Sequence, residues 1–144
     1  MHLEYKNLIV AVDGSEASEK AFIKAVSIAK RNDAKIILTH VIDSRTFATA
    51  EVYDRTLAEQ ANVYGTDLLD KFEEKAHAVD FKNLVKCLEY GSPKVKIAKE
   101  IAKEYEADLI ICGATGLNAM ERFLIGSVSG SITRNAECDV LVVR

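Results

Sequence analysis

Short apolar runs alternate along this chain with longer segments whose apolar residues recur at helical spacing. Runs that are apolar at successive positions and rich in β-branched residues are typical of strands buried on both faces of a parallel sheet. The pattern predicts five strands, and the third, which alternates only loosely, is expected near a sheet edge. The predicted strands cover residues 7–12, 35–42, 81–90, 108–112 and 139–143.

The segments between the strands predict amphipathic helices. In the first helix, Ala17, Ala21, Ala25 and Ala29 form a stripe of small residues that permits close packing on a sheet. Ser15 precedes this stripe and is placed to cap the helix. The first helix is therefore expected to lie directly against the strands.

The second helix is expected from about residue 51, and the third begins with Ser92 as its cap and Pro93 in its first position. A short helix over residues 127–137, with Gly130 inside it, precedes the last strand. The faces expected to be buried are Leu57, Ala61, Tyr64, Leu68, Phe72 and Ala76 in the second helix, and Val95, Ala98, Ile101 and Tyr105 in the third.

This alternation predicts an α/β fold over residues 1–144, with one domain and helices on both faces of an open five-stranded parallel sheet. Ligands of such sheets bind beyond the carboxyl ends of the strands, where the winding of the chain reverses. Those ends carry the sequence DGS at 13–15, VID at 41–43, and a glycine-rich loop that starts at Gly113.

Composition narrows the function classes. The chain has 144 residues, 28% of them charged, and a net charge of −3. It therefore lacks the excess of basic residues that is typical of proteins that bind nucleic acid. No apolar run approaches the roughly 18 residues of a membrane helix, and the amino-terminal residues do not form a signal peptide. Cys87, Cys112 and Cys138 form no CxxC motif and are interpreted as reduced thiols. We expect a cytoplasmic protein that does not associate with a membrane.

The loop from Gly113 to Ser127 is the segment whose sequence most clearly indicates ligand binding. Glycine permits tight turns and close approach of a ligand, and a helix that starts at Ser127 would direct free N–H groups at an anion. By spacing alone, a glycine-rich turn without a ligand fits equally well. The G-x-G-x-x-G motif is absent after the first strand, and G-x-x-x-x-G-K-[ST] is absent throughout.

The spacing Gly113-x2-Gly116-x9-Gly126-Ser127 resembles the signature G-2x-G-9x-G-[ST] of ATP-binding universal stress proteins. AVDGSEAS at 11–18, HVID at 40–43 and the segment 126–144 also resemble parts of that family, so the similarity spans essentially the whole chain. It implies an adenine nucleotide alpha hydrolase-like fold with strand order 3-2-1-4-5. In that order the DGS turn and the glycine loop face each other across one crevice.

The resemblance also implies a set of ATP-binding residues, with Mg²⁺ or Mn²⁺ on the phosphates and no side chain assigned as a metal ligand. They are Ala11, Val12 and Asp13 at the adenine and ribose end, with Val41 through its backbone; Gly113, Ala114, Thr115 and Gly116 along the ribose and α-phosphate; and Gly126, Ser127, Val128 and Ser129 on the β- and γ-phosphates.

Several of these residues have alternative roles. Ala114 and Thr115 stand where the family often has Ser and His or Arg, and Arg122, at an often basic position, can partly compensate. Arg122 is equally consistent with a solvated helix charge, and Asp13 with a turn-forming residue before Gly14. His40 is interpreted as a core histidine with satisfied hydrogen bonds.

The resulting interpretation is an ATP-binding sensor or regulator of the stress response, for which a regulatory protein partner is conceivable. The alternatives are a slow ATPase or phosphotransferase, an interaction protein of the family's branch that binds no nucleotide, and, remotely, a flavin-binding electron carrier. No Walker lysine or poised base is evident near the loop, which favours at most weak hydrolysis. The edge strand Asp139–Val143, with no Pro or Lys within it, predicts a homodimer, unless the protein's own helices cover that edge.

Overall fold

The computed structural model describes residues 4–44, 55–116 and 125–144, and strands and helices alternate along these ranges as expected. The strands form one parallel sheet in the order β3-β2-β1-β4-β5, which confirms the fold class and the strand order. The elements are β1 (Asn7–Ala11), α1 (Glu16–Asn32), β2 (Lys35–Asp43), α2 (Arg55–Ala78), β3 (Leu84–Gly91), α3 (Pro93–Val95), a π-helical stretch (Lys96–Ile101), α4 (Ala102–Glu104), β4 (Leu109–Gly113), α5 (Ser127–Asn135) and β5 (Asp139–Val143).

The winding of the chain reverses between β1 and β4. The chain runs from β1 outward through β2 to β3, then crosses to the other side of β1 to form β4 and β5. Val10 of β1 pairs with Ile111 of β4, so the two strands end side by side. The turn that follows β1 and the loop that follows β4 therefore flank the point where ligands bind in open α/β sheets.

The sheet is buried on both faces, as the continuous apolar runs predict. Leu8 and Val10 pack with α1 and α2 on one face, whereas Ile9 packs with the π-helical stretch and α5 on the other. Successive strand residues point to opposite faces, so a run apolar at every position belongs to a sheet covered on both sides. Within the described ranges, no helix is both long and apolar enough to cross a membrane.

α1 begins and packs as its sequence predicts. The Ser15 hydroxyl oxygen accepts a hydrogen bond from the Ser18 amide at 3.1 Å, which is the expected cap. Ala21, Ala25 and Ala29 are fully buried against the sheet. The close packing of this helix fixes the backbone of the strands beneath it, and so it positions the turn between β1 and α1.

The buried face of α2 differs from the predicted one. Leu57 and Tyr64 are 46% and 48% exposed, although Leu68, Phe72 and Ala76 are buried as expected. In the first half of the helix the small residues Ala58, Ala61 and Gly65 face the sheet, and of these three only Ala61 belongs to the predicted face. These small residues let the helix approach β2 and β3 closely, and the bulkier neighbours are displaced towards solvent. The predicted start, residues 51–54, lies outside the described residues.

The helical segment after β3 also departs from the prediction. Val95 is 53% exposed, and the Ser92 side chain makes no capping hydrogen bond, although Pro93 does start the helix. The π-helical stretch that follows has more residues per turn than an α-helix, so α-helical spacing does not place Val95 on the same face as Ala98 and Ile101. Ala98 and Ile101, which lie within that stretch, are buried as predicted.

Candidate functional site

The turn after β1 is held by hydrogen bonds from the neighbouring elements β2 and α1. The Val12 amide donates to the Thr39 carbonyl at 2.9 Å, which extends the pairing of β1 with β2. The Val12 carbonyl contacts His40 Nδ1 at 2.8 Å. A carbonyl only accepts, so Nδ1 is the nitrogen that carries the proton. The Asp13 amide donates to Ser18 Oγ at 3.3 Å, which ties the turn to α1.

The two carboxylate oxygens of Asp13 have different surroundings. Oδ1 accepts a hydrogen bond from the Ser15 amide at 2.9 Å, the turn-forming role expected as an alternative for this residue. Oδ2 faces the glycine loop: a Cβ at Gly116 would lie 3.1 Å from it. Gly14, with a φ of 86°, supplies the left-handed turn that this arrangement requires. Forming the turn therefore uses one oxygen and leaves the other directed across the crevice.

Val41 presents its backbone to the same crevice. The last register pair of β1 and β2 is Ala11 with Thr39, and Val41 lies two residues further along β2. Alternate residues of a strand within a sheet direct their N–H and C=O groups to opposite neighbours. The peptide groups of Val41 therefore point to the space beyond the end of β1, while its side chain is buried with Ile37 and Cys87.

The first glycine of the loop is explained by packing. A Cβ at Gly113 would lie 2.7 Å from the Ala17 Cβ and 2.8 Å from the Ala17 carbonyl carbon, so only glycine fits beneath α1. The residue after it anchors the loop: the Ala114 amide donates to the Val143 carbonyl at 2.7 Å. Gly113 therefore sets the distance between β4 and α1.

The two ends of the glycine loop meet. The Gly126 amide donates to the Ala114 carbonyl at 2.6 Å, and the Ser129 hydroxyl donates to the same carbonyl at 3.0 Å. A Cβ at Gly126 would lie 3.3 Å from that oxygen and 3.5 Å from the Thr115 Cα. These contacts bring the start of α5 beside Gly116, across from Asp13. Residues 117–124, including Arg122, lie outside the described residues.

The start of α5 has the character of an anion site. Ser127, Val128 and Ser129 form its first turn, where backbone N–H groups have no acceptor within the helix and the helix dipole is positive. The Ser127 side chain is exposed, whereas the Ser129 hydroxyl is used within the loop. Ser127 thus has an amide and a hydroxyl for a ligand, and Ser129 has its amide.

The thiol on β4 beside the glycine loop is buried and is not a candidate nucleophile. Cys112, next to the loop on β4, is 4% exposed, and burial raises the pKa of its thiol to about 11. A thiol with that pKa stays protonated at neutral pH and is a poor nucleophile. In the described parts of the chain, no group of three or more His, Cys, Asp or Glu side chains is placed to bind a metal ion.

Several residues that contact the turn are absent from the ATP-binding set implied by the sequence, among them His40, Ser18 and Tyr64. Ser18 bonds the Asp13 amide, and its position three residues after Ser15 in the first turn of a helix was a usable signal. Tyr64 lies on α2, 51 residues from Asp13, and its hydroxyl donates to the Asp13 carbonyl at 3.3 Å. Apolar periodicity alone interprets such a tyrosine as part of a packing face.

Comparison with known proteins finds that this chain is similar to one protein family over nearly its whole length. The profile of the universal stress protein family matches residues 4–144. A universal stress protein of Staphylococcus saprophyticus is 52% identical over 142 residues, which cover 99% of this chain and 85% of that protein. The solved structure of the universal stress protein UspA from Lactobacillus plantarum superimposes with a TM-score of 0.86 at 32% identity, covering 99% of this chain and 100% of that one. A universal stress protein solved in complex with cAMP superimposes with a TM-score of 0.72 at 27% identity, covering 98% of each chain.

Proposed function

This chain belongs to the universal stress protein family, and on that premise we propose that it binds ATP in the crevice between the β1 turn and the glycine loop. The observation that carries the proposal is the approach of Asp13 Oδ2 to Gly116, beside the start of α5. This juxtaposition puts an acceptor for a ribose hydroxyl next to donors for phosphate. The relative solved in complex with cAMP supports an adenine nucleotide as the ligand.

The residues at the ribose end suit a nucleoside. Asp13 Oδ2 would accept a hydrogen bond from a ribose hydroxyl, and the peptide groups of Val41 would bond the polar edge of the adenine. A backbone contact would require only that the Val41 side chain be apolar, and it is buried in the core. Ala11 and Val12, at the end of β1, would form the apolar floor of this part of the site.

The residues at the phosphate end suit a polyphosphate. The amides of Ser127, Val128 and Ser129 would donate to phosphate oxygens at the positive end of the α5 dipole. A Cβ at Gly126 would lie 3.3 Å from the Ala114 carbonyl oxygen, so glycine at this position favours the close contact that joins the two ends of the loop. A Mg²⁺ or Mn²⁺ ion bound with the nucleotide would neutralise part of the phosphate charge.

We assign the protein a regulatory role, as a nucleotide-dependent sensor in the cytoplasm, rather than an enzymatic one. The described residues at the phosphate end supply amides and hydroxyls, which stabilise phosphate charge but do not take a proton from an attacking water molecule. Bound ATP would instead make the state of the protein depend on the concentration of ATP.

The proposal is tested by identifying the ligand. The purified protein is denatured, the released small molecules are identified by mass spectrometry, and the affinities for ATP, ADP and cAMP are measured by calorimetry with Mg²⁺ present. Gly116→Val would place a side chain against Asp13 Oδ2 and should abolish binding in a folded protein. A folded variant with unchanged affinity would reduce the loop to a structural turn and favour the interaction-protein alternative.

We further propose that two copies pair through β5, the outermost strand on its side of the sheet. The Val143 carbonyl accepts from Ala114 on the β4 side, so the N–H and C=O groups of Val142 face outward by the alternation of the strand. An outward row of unpaired backbone groups is a template for a second strand. Val142→Pro should therefore yield monomer, whereas Val142→Ala should stay dimeric in light scattering after size exclusion. A wild-type mass near 15.9 kDa at every concentration would contradict the dimer.

A further inference from the structure

The turn that carries Asp13 is bonded by two aromatic rings from outside the crevice. His40 Nδ1 donates to the Val12 carbonyl at 2.8 Å, and Tyr64 donates its hydroxyl to the next carbonyl, that of Asp13, at 3.3 Å. The two rings contact each other edge to face, with their centroids 6.0 Å apart. Consecutive carbonyls of the turn are therefore held by a pair of donors that also support each other.

The position of Tyr64 follows from its neighbour in sequence. A Cβ at Gly65 would lie 2.8 Å from Leu88 Cδ1 and 3.0 Å from His40 Cδ2, so glycine at this position favours the close approach of α2 to the sheet. That approach carries the Tyr64 hydroxyl over Gly14, where any Cβ would overlap the hydroxyl oxygen. The absence of a side chain at Gly14 leaves space for the Tyr64 hydroxyl, and the absence of one at Gly65 favours the approach of the helix that carries Tyr64.

The hydrogen bonds of the turn leave one Asp13 oxygen for a ligand. The Asp13 amide bonds Ser18, its carbonyl accepts from Tyr64, and Oδ1 accepts from Ser15. The remaining oxygen, Oδ2, is directed at Gly116. The bond from Tyr64 restrains the peptide between Asp13 and Gly14, and with it the backbone of the turn from which the Asp13 side chain extends.

We propose that Tyr64 is a positioning residue of the nucleotide site, which acts through the Asp13 carbonyl to hold Oδ2 where a ribose hydroxyl would bind. The inference rests on the proposed function and adds to it a residue of α2 that lies outside the nucleotide-binding set. It also explains why a tyrosine that is nearly half exposed stands beside a glycine of the helix face. Its hydroxyl is used by the turn rather than by the core.

The test compares ATP with 2′,3′-dideoxy-ATP, which lacks the ribose hydroxyls. Calorimetry is carried out on the full chain for the wild type, for Tyr64→Phe, and for Tyr90→Phe as the matched control. Tyr90 donates its hydroxyl to Asn62 of the same helix α2, without contacting the turn. Thermal unfolding of the three proteins verifies that each is folded at the temperature of the binding measurement.

We expect Tyr64→Phe to weaken ATP binding about threefold to tenfold, the scale of one hydrogen bond, and to leave the affinity for 2′,3′-dideoxy-ATP unchanged. Tyr90→Phe should bind both nucleotides like the wild type. An equal loss for both nucleotides, or no loss for either, would overturn the positioning role while nucleotide binding stands. A wild type that binds ATP and 2′,3′-dideoxy-ATP equally would do the same, and a folded wild type that binds neither would refute the proposed function and this inference together.

Discussion

Replacing Asp13 separates its structural role from its proposed binding role, because each carboxylate oxygen has one of them. Asp13→Asn keeps a carbonyl oxygen that can accept from the Ser15 amide and replaces the oxygen that faces Gly116 with an NH₂ group. Asp13→Ala removes both. If ribose binds to Oδ2, the two variants should differ in stability more than they differ in binding.

The magnitudes follow from the hydrogen bonds that are lost. Asp13→Ala forfeits the 2.9 Å bond to Ser15 and should lower the free energy of unfolding by about 1 kcal/mol. It should also weaken ATP binding by about 1–2 kcal/mol, roughly 5- to 30-fold, for a bond to a charged acceptor. Asp13→Asn should unfold like the wild type and still lose about 1 kcal/mol of binding, because an NH₂ group, which cannot accept a hydrogen bond, replaces the acceptor Oδ2.

Urea denaturation gives the stability difference, and isothermal calorimetry with ATP and Mg²⁺ gives the affinity. The two measurements are made on the same preparations, after any nucleotide retained from expression has been removed. If Asp13→Ala binds ATP as tightly as the wild type, the residue serves only the turn and the ribose contact does not exist. If Asp13→Asn is as unstable as Asp13→Ala, the assignment of Oδ1 to the turn is wrong.

Three further outcomes are expected. Gly113→Ala should lower the free energy of unfolding by about 1–3 kcal/mol in urea, because its Cβ would meet Ala17 at 2.7 Å. Burial raises the pKa of Cys112 to about 11, so between about pH 9 and pH 11 only the thiol of the unfolded chain ionises. The free energy of unfolding should therefore fall as the pH rises through this range, and it should fall less in Cys112→Ala. Phosphate release in a malachite-green assay should be slow or absent with Mg²⁺ or Mn²⁺; turnover on the order of 10 per second would favour an ATPase.

Much of the fold could be predicted because its signals are local. β5 has the bounds that its apolar run predicts, and Ser15 caps α1 through the expected contact. The strand order is not a local property of the sequence, because the same alternation of strands and helices is compatible with several strand orders. The order was implied by the family resemblance, and the structure confirms it.

The failures occur where packing depends on partners that are distant in sequence. Leu57 is exposed because the small residues of α2, rather than the bulky ones, face β2 and β3. The apolar periodicity of the helix does not predict which of these residues approach the sheet. The exposure of Val95 follows from the π-helical turns after it, which change the number of residues per turn. Hydrophobic periodicity assumes ideal geometry and favours bulky residues, so it misses both cases.

The same limit applies to the candidate site, and it divides the glycines by cause. Gly113 and Gly116 are both glycines of the sequence signature, and the signature does not distinguish them. In the structure, Gly113 makes room for Ala17 of α1, whereas Gly116 leaves space beside the Asp13 carboxylate. Gly65, outside any motif, favours the close approach of α2 to the sheet, and the neighbouring Tyr64 bonds the turn. A signature therefore indicates which residues surround the crevice, but only contacts across the fold distinguish a glycine required by packing from one required by a ligand. Substitutions at Gly113 should accordingly act on stability and those at Gly116 on affinity, which urea denaturation and calorimetry on matched alanine variants would resolve.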